Sequence, residues 1–115
     1  MSDPGAEPVP PFHLFLDIPE VAVAASALRL LISDEAHEPL IRRLAREVIE
    51  ALGGLPDENG VLTVALSPPQ MKITHSAVRL LLNDLQREQQ DEREILRAIL
   101  EKLPDEHTMR AIALE

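Results

Sequence analysis

LDIPEVAVAASALRLLISD, residues 16 to 34, and LSPPQMKITHSAVRLLLND, residues 66 to 84, align without a gap at an offset of fifty. Eight of nineteen positions are identical: Leu16/Leu66, Pro19/Pro69, Ser26/Ser76, Ala27/Ala77, Arg29/Arg79, Leu30/Leu80, Leu31/Leu81 and Asp34/Asp84. A second shared string follows each stretch, Leu55-Pro56-Asp57-Glu58 and Leu103-Pro104-Asp105-Glu106, and each leads into an apolar run. Self-similarity at a fixed period is the signature of a repeated supersecondary unit. The expectation is therefore one unit present twice, over residues 12–54 and 61–104.

Working outward from that stretch, Phe12, Leu14 and Leu16 alternate with His13, Phe15 and Asp17, and Leu62, Val64 and Leu66 alternate with Val61, Thr63 and Ala65. Period two predicts a strand in each unit. Ile112 and Leu114 stand opposite Ala111 and Ala113 in the same register, which predicts a third strand over residues 109–115. Asp17-Ile18-Pro19-Glu20 and Ser67-Pro68-Pro69-Gln70 fit capping boxes, each opening a helix. The first helix carries an apolar stripe of Val21, Ala25, Leu28 and Ile32, widened by Val23, Ala27, Leu30 and Leu31; Met71, His75, Val78 and Leu82 repeat the stripe in the second unit.

Pro39 and Gly53-Gly54 bracket a further helix. Ile95, Ile99 and Leu103 mark its counterpart, with Asp91-Glu92-Arg93-Glu94 as its expected capping box. A turn is expected near Gln86 to Gln90, where no Pro or Gly separates the two helices. The predicted fold is α+β, an internally duplicated β-α-α-β-α-α-β chain in which two helical hairpins cover a small three-stranded, mainly antiparallel sheet. Residues 1–11, rich in Pro, Gly and acid, read as a flexible tail.

At 115 residues the chain suits one domain. With Phe12 and Phe15 its only aromatic residues, the interior is expected to be aliphatic. A net charge of −9 disfavours nucleic acid, whose phosphates call for Lys and Arg. Without cysteine there is no disulfide, thiolate nucleophile or Cys-based zinc site. The first residues offer neither a basic region nor an apolar run, and no stretch approaches a membrane span, so a cytoplasmic protein is expected.

Candidate chemistry is sparse. Arg29 and Arg79, equivalent in the repeat, would place two guanidinium groups around an anion if the fold brought them together; the plainer reading is that each covers apolar surface with its stem. His75 lies on the apolar stripe where the first unit has Ala25, as a ligand, a proton carrier or a hydrogen-bonded boundary residue. Arg42, Arg43 and Arg46 are read as pairing with Glu47 and Glu50 on a solvated helix face. No H-E-x-x-H, calcium loop, P-loop or nucleophile elbow occurs, and the expectation is a non-catalytic protein with no cofactor and no metal.

The far side of the sheet, with Phe15, Val61, Thr63, Ala65, Ala111 and Ala113, is too apolar to be left to water. That predicts a protein-interaction module, a homodimer or the binder of another protein. The alternatives are a small-anion or metal-binding module using Arg29, Arg79 or His75, and an acidic, antitoxin-like inhibitor of a basic protein.

Overall fold

The computed structural model describes residues 12–33, 38–85, 89–104, 108–109 and 111–112. The predicted tail, most of the turn expected near Gln86 to Gln90, Ala113 and Leu114 lie outside them. Alternation makes strand β1 (Phe12–Asp17), followed at once by helix α1 (Ile18–Ser33), then α2 (Pro39–Leu52), β2 (Val61–Leu66), α3 (Pro68–Asp84) and α4 (Gln90–Lys102). The architecture is α+β, and the described residues form these four helices and one antiparallel sheet of two strands.

The pairing runs from Phe12 opposite Leu66 to Asp17 opposite Val61, with Leu14 opposite Val64 in the middle. Because Leu14 and Val64 are themselves fifty apart, exchanging the two strands at the repeat offset maps five of the six pairs onto pairs of the same ladder. Leu14, Leu16, Leu62, Val64 and Leu66 are buried against the helices, and Phe12 is half-buried beside them. A one-residue slip would turn this set to water, so burial of one face fixes the register.

Burial also matches along α1 and α3. Ala27 and Ala77, Leu28 and Val78, and Leu31 and Leu81 are all buried. Both capping boxes form: Glu20 N–H donates to Asp17 Oδ1 at 2.9 Å and Asp17 N–H to Glu20 Oε1 at 2.9 Å, while Ser67 and Gln70 make the same reciprocal pair at 3.3 and 2.9 Å. Pro39 opens α2 and Gly53 closes it. Helix α3 ends at Asp84, and Leu85 is extended, as a hairpin requires. Arg93 of α4 holds that end by donating to the carbonyls of Leu82 and Leu85 at 3.2 Å each.

Three expectations are corrected. First, the described part of 109–115 is not a strand: Thr108 and Met109 are helical, and Ala111 and Ile112 donate three residues back to Thr108 and Met109 at 3.2 and 3.1 Å. The turn chemistry accounts for this. Before β2, Asp57 Oδ1 accepts from Asn59 and Val61, and Gly60 has φ +77°, a conformation open to glycine. At the same distance after the second Leu-Pro-Asp-Glu string stands Thr108, whose β-branch disfavours positive φ. Met109 and Ile112, three apart, instead turn inward as one helical turn, and Lys72 Nζ donates to the Ile112 carbonyl at 2.6 Å. Ala111 is accordingly exposed in a turn and is no part of a sheet face.

Second, α4 begins at Gln90 after Gln89, which makes no side-chain cap, so Asp91 and Glu92 lie in its first turn and the expected box is absent. Third, Leu30 and Leu80 leave the core, each 51% exposed. The repeated Leu-Pro-Asp-Glu string also splits: Leu103 is 6% exposed, and Leu55, where the chain turns toward β2, is 92% exposed. Replacing Leu103 by Ala is expected to cost about 2–5 kcal/mol through the cavity left behind. The same change at Leu55 is expected to cost under about 0.5 kcal/mol. Urea unfolding followed by far-ultraviolet circular dichroism distinguishes the two.

Candidate functional site

Helices pack on one side of the sheet, so β1 and β2 show their other side to solvent: His13, Phe15, Asp17, Thr63 and Ala65 are exposed and Val61 is half-buried. Phe15, at 55% exposure, is the largest apolar group there. With Leu14, His13, Asp17, Val61 and Lys102 it borders a shallow groove of about 440 Å³. Of the six residues expected on this apolar face, Phe15, Val61, Thr63 and Ala65 are on it and Ala111 is not.

Which main-chain groups remain available follows from parity, because alternate residues of an antiparallel pair bond inward or point outward. Phe15 and Val61 point outward: the Phe15 carbonyl accepts from Lys102 Nζ at 2.9 Å, and the Val61 carbonyl accepts from Asp57 N–H at 2.8 Å. Their neighbours in the same phase, His13, Asp17, Thr63 and Ala65, point outward too. Asp17 N–H is taken by Glu20. On β2, Thr63 and Ala65 make no outer-edge hydrogen bond among the described residues. The edge of β1 is therefore closed at Phe15 and Asp17, and among the described residues the edge of β2 is open at Thr63 and Ala65.

Lys102 is the clasp of the closed edge. Its Nζ meets Glu20 Oε1 at 2.5 Å as well as the Phe15 carbonyl, which ties the end of α4 to the start of α1 and to β1. Glu20 is 4% exposed, and its carboxylate receives both the Asp17 amide and the ammonium. The corresponding Gln70 donates from Nε2 to Glu47 Oε1 of α2 at 3.1 Å, so each capping residue also reaches a helix of the other half of the chain. This pairing across 82 residues has no signature in the sequence beyond the presence of a carboxylate at the third position of α1.

The other nominated residues lie on α1 and α3. Arg29 is exposed on α1, Arg79 is half-buried on α3 and His75 is buried on α3. Among the described residues no three His, Asp or Glu side chains are placed to hold a metal ion, and no helix is long and apolar enough to cross a membrane. A groove missed by periodicity runs between α1 and α3, about 470 Å³ in volume, with Leu30 and Leu31 on one wall and Leu80 and Leu81 on the other. No family model, curated protein or solved structure matches the chain.

The clasp gives a direct test. Lys102→Met strands the buried Glu20 carboxylate and is expected to lower stability by about 1–3 kcal/mol, nearer the low end because Lys102 is partly solvated. Adding Glu20→Gln recreates the neutral box of Ser67 and Gln70 and should recover part of that loss. Urea midpoints of the single and double variants would show it; a double variant weaker than Lys102→Met alone would contradict it.

Proposed function

We propose that the chain is a non-catalytic protein-interaction module, built by internal duplication, that receives an extended segment of another protein at the open edge of β2. The observation that carries this reading is that edge: Thr63 and Ala65 present outward N–H and C=O groups beside an exposed apolar sheet face containing Phe15 and Val61. A two-stranded sheet gains most from another strand, since three or more strands make the more stable unit. An incoming strand exchanges main-chain hydrogen bonds with Thr63 and Ala65, and its alternate side chains lie over the exposed face. Proteins blunt such edges with charge, proline or covering elements. Here the devices sit elsewhere: Lys102 on β1, and Asp57 at the first residue of β2.

The duplication half of the proposal rests on the shared residues, the matching burial along α1 and α3, and the β-α-α order found twice. The net charge of −9 favours a partner segment carrying Lys or Arg and predicts association that slows as salt is added.

The test is selection of peptides from a random library displayed on phage, followed by binding measurements on Ala65→Pro. Proline deletes one outward N–H and is tolerated on an edge. Selected peptides are expected to bind the wild-type chain at least about tenfold more tightly than the variant and to slow amide exchange at Thr63 and Ala65. Equal binding by the variant, or a library that yields no binder, rejects strand addition.

A further inference from the structure

The geometry points to a second copy of this chain as the occupant of the groove between α1 and α3, forming a two-fold dimer through the helical side and leaving both sheet edges outward. The inference rests on the halves being copies, and it begins with a contrast between exposed and buried positions. Four core positions differ between the halves, Leu14 against Val64, Ala24 against Thr74, Ala25 against His75 and Leu28 against Val78, and all are buried, while Leu16/Leu66, Ala27/Ala77 and Leu31/Leu81 are both identical and buried. Leu30 and Leu80 are identical although each is half in water. Packing within the monomer explains why buried positions stay apolar; it does not require the same large apolar side chain twice at a solvated one.

Six of the eight groove-lining residues form three identical pairs, Ala27/Ala77, Leu30/Leu80 and Leu31/Leu81. Ser33 and Asp84 complete the rim. The groove thus has the same apolar residues on both walls. A two-fold dimer needs a self-complementary patch, and projecting Leu30 and Leu80 beside the small Ala27 and Ala77 supply both projections and the hollow to receive them. Helices of 16 and 17 residues are about 25 Å long, and two of them side by side present a face roughly 20 Å wide. Two such faces bury on the order of 1,000 Å², the lower end of specific interfaces, which suits a weak, reversible dimer. Each copy carries −9, so screening the repulsion should tighten the dimer, opposite to the salt response of a basic partner.

The experiment is light scattering coupled to size exclusion, from low to high micromolar concentration and at two salt concentrations, on wild type, Leu30→Glu and Leu80→Glu, with circular dichroism to verify folding. Wild type is expected to dimerise with rising concentration, more so at higher salt, and each variant to weaken the dimer at least about tenfold by placing a charge at the contact. A chain with a single cysteine, Leu80→Cys, should oxidise to a covalent dimer faster than one with Leu55→Cys, which keeps the measurement available if a glutamate variant fails to fold. An effect from only one of the two leucines would overturn the equivalence of the halves and so the two-fold arrangement. A wild-type monomer at high micromolar concentration, or a dimer untouched by either substitution, overturns the proposal. Ala65→Pro should leave the dimer intact, which separates this surface from the strand-binding edge.

Discussion

One-sided burial of a two-stranded ladder governs the rest of the molecule. Leu14, Leu16, Leu62, Val64 and Leu66 must all face the helices, and a strand has a side-chain period of two, so β1 and β2 have one tolerable register. That register sets Leu14 opposite Val64 at the centre and places the starts of α1 and α3 at opposite ends of the ladder. The four helices then fill one side with aliphatic side chains, and the other side is left with Phe15, Thr63 and Ala65. The exposed face is thus a consequence of the same constraint that makes the core.

Much of this was legible because its causes are local. Alternation over six residues, a Ser or Asp three residues before Gln or Glu, and Pro and Gly around a helix each act within one or two turns of chain. The third strand failed for a reason that is also local but easily overlooked. Met109 and Ile112, three apart, do not share a period of two but fit a helical turn, and the position that matches Gly60 after the second Leu-Pro-Asp-Glu string is Thr108. Absence of that glycine was the signal to weigh against the apolar run.

The candidate site was half legible. Phe15, Val61, Thr63 and Ala65 follow from alternation, but the closing of one edge by Lys102 depends on a contact with residues more than eighty positions away. The α1–α3 groove was hidden by composition: α1 is apolar on most of its circumference, so periodicity alone does not show which leucines face out. Neighbours on the same helical face do carry the information. Leu30 has Ser26 and Ser33 four before and three after it, and Leu80 has Ser76 and Asn83, so each stands in a polar column. Arg29 and Arg79 drew attention as charges, whereas the leucines beside them are what the groove is made of.

The two capping boxes show how the halves are joined. Glu20 and Gln70 do the same local work, yet Glu20 is a buried carboxylate that demands a cation, and Gln70 is a neutral amide content with Glu47. A buried charge that is paired contributes little net stability over a neutral substitute, but it is costly to leave alone, so it penalises any arrangement that separates the partners. Lys102 meets that demand only when α4 lies across the start of α1, and from there the same ammonium reaches the Phe15 carbonyl. The charge therefore acts on specificity: it disfavours a displaced α4 and holds the outer Phe15 carbonyl of β1. Gln70 imposes no such demand on the corresponding corner, and among the described residues Thr63 and Ala65 make no outer-edge hydrogen bond. The difference between the β1 and β2 edges thus goes with an acid in place of an amide at the third position of a helix, together with its lysine partner.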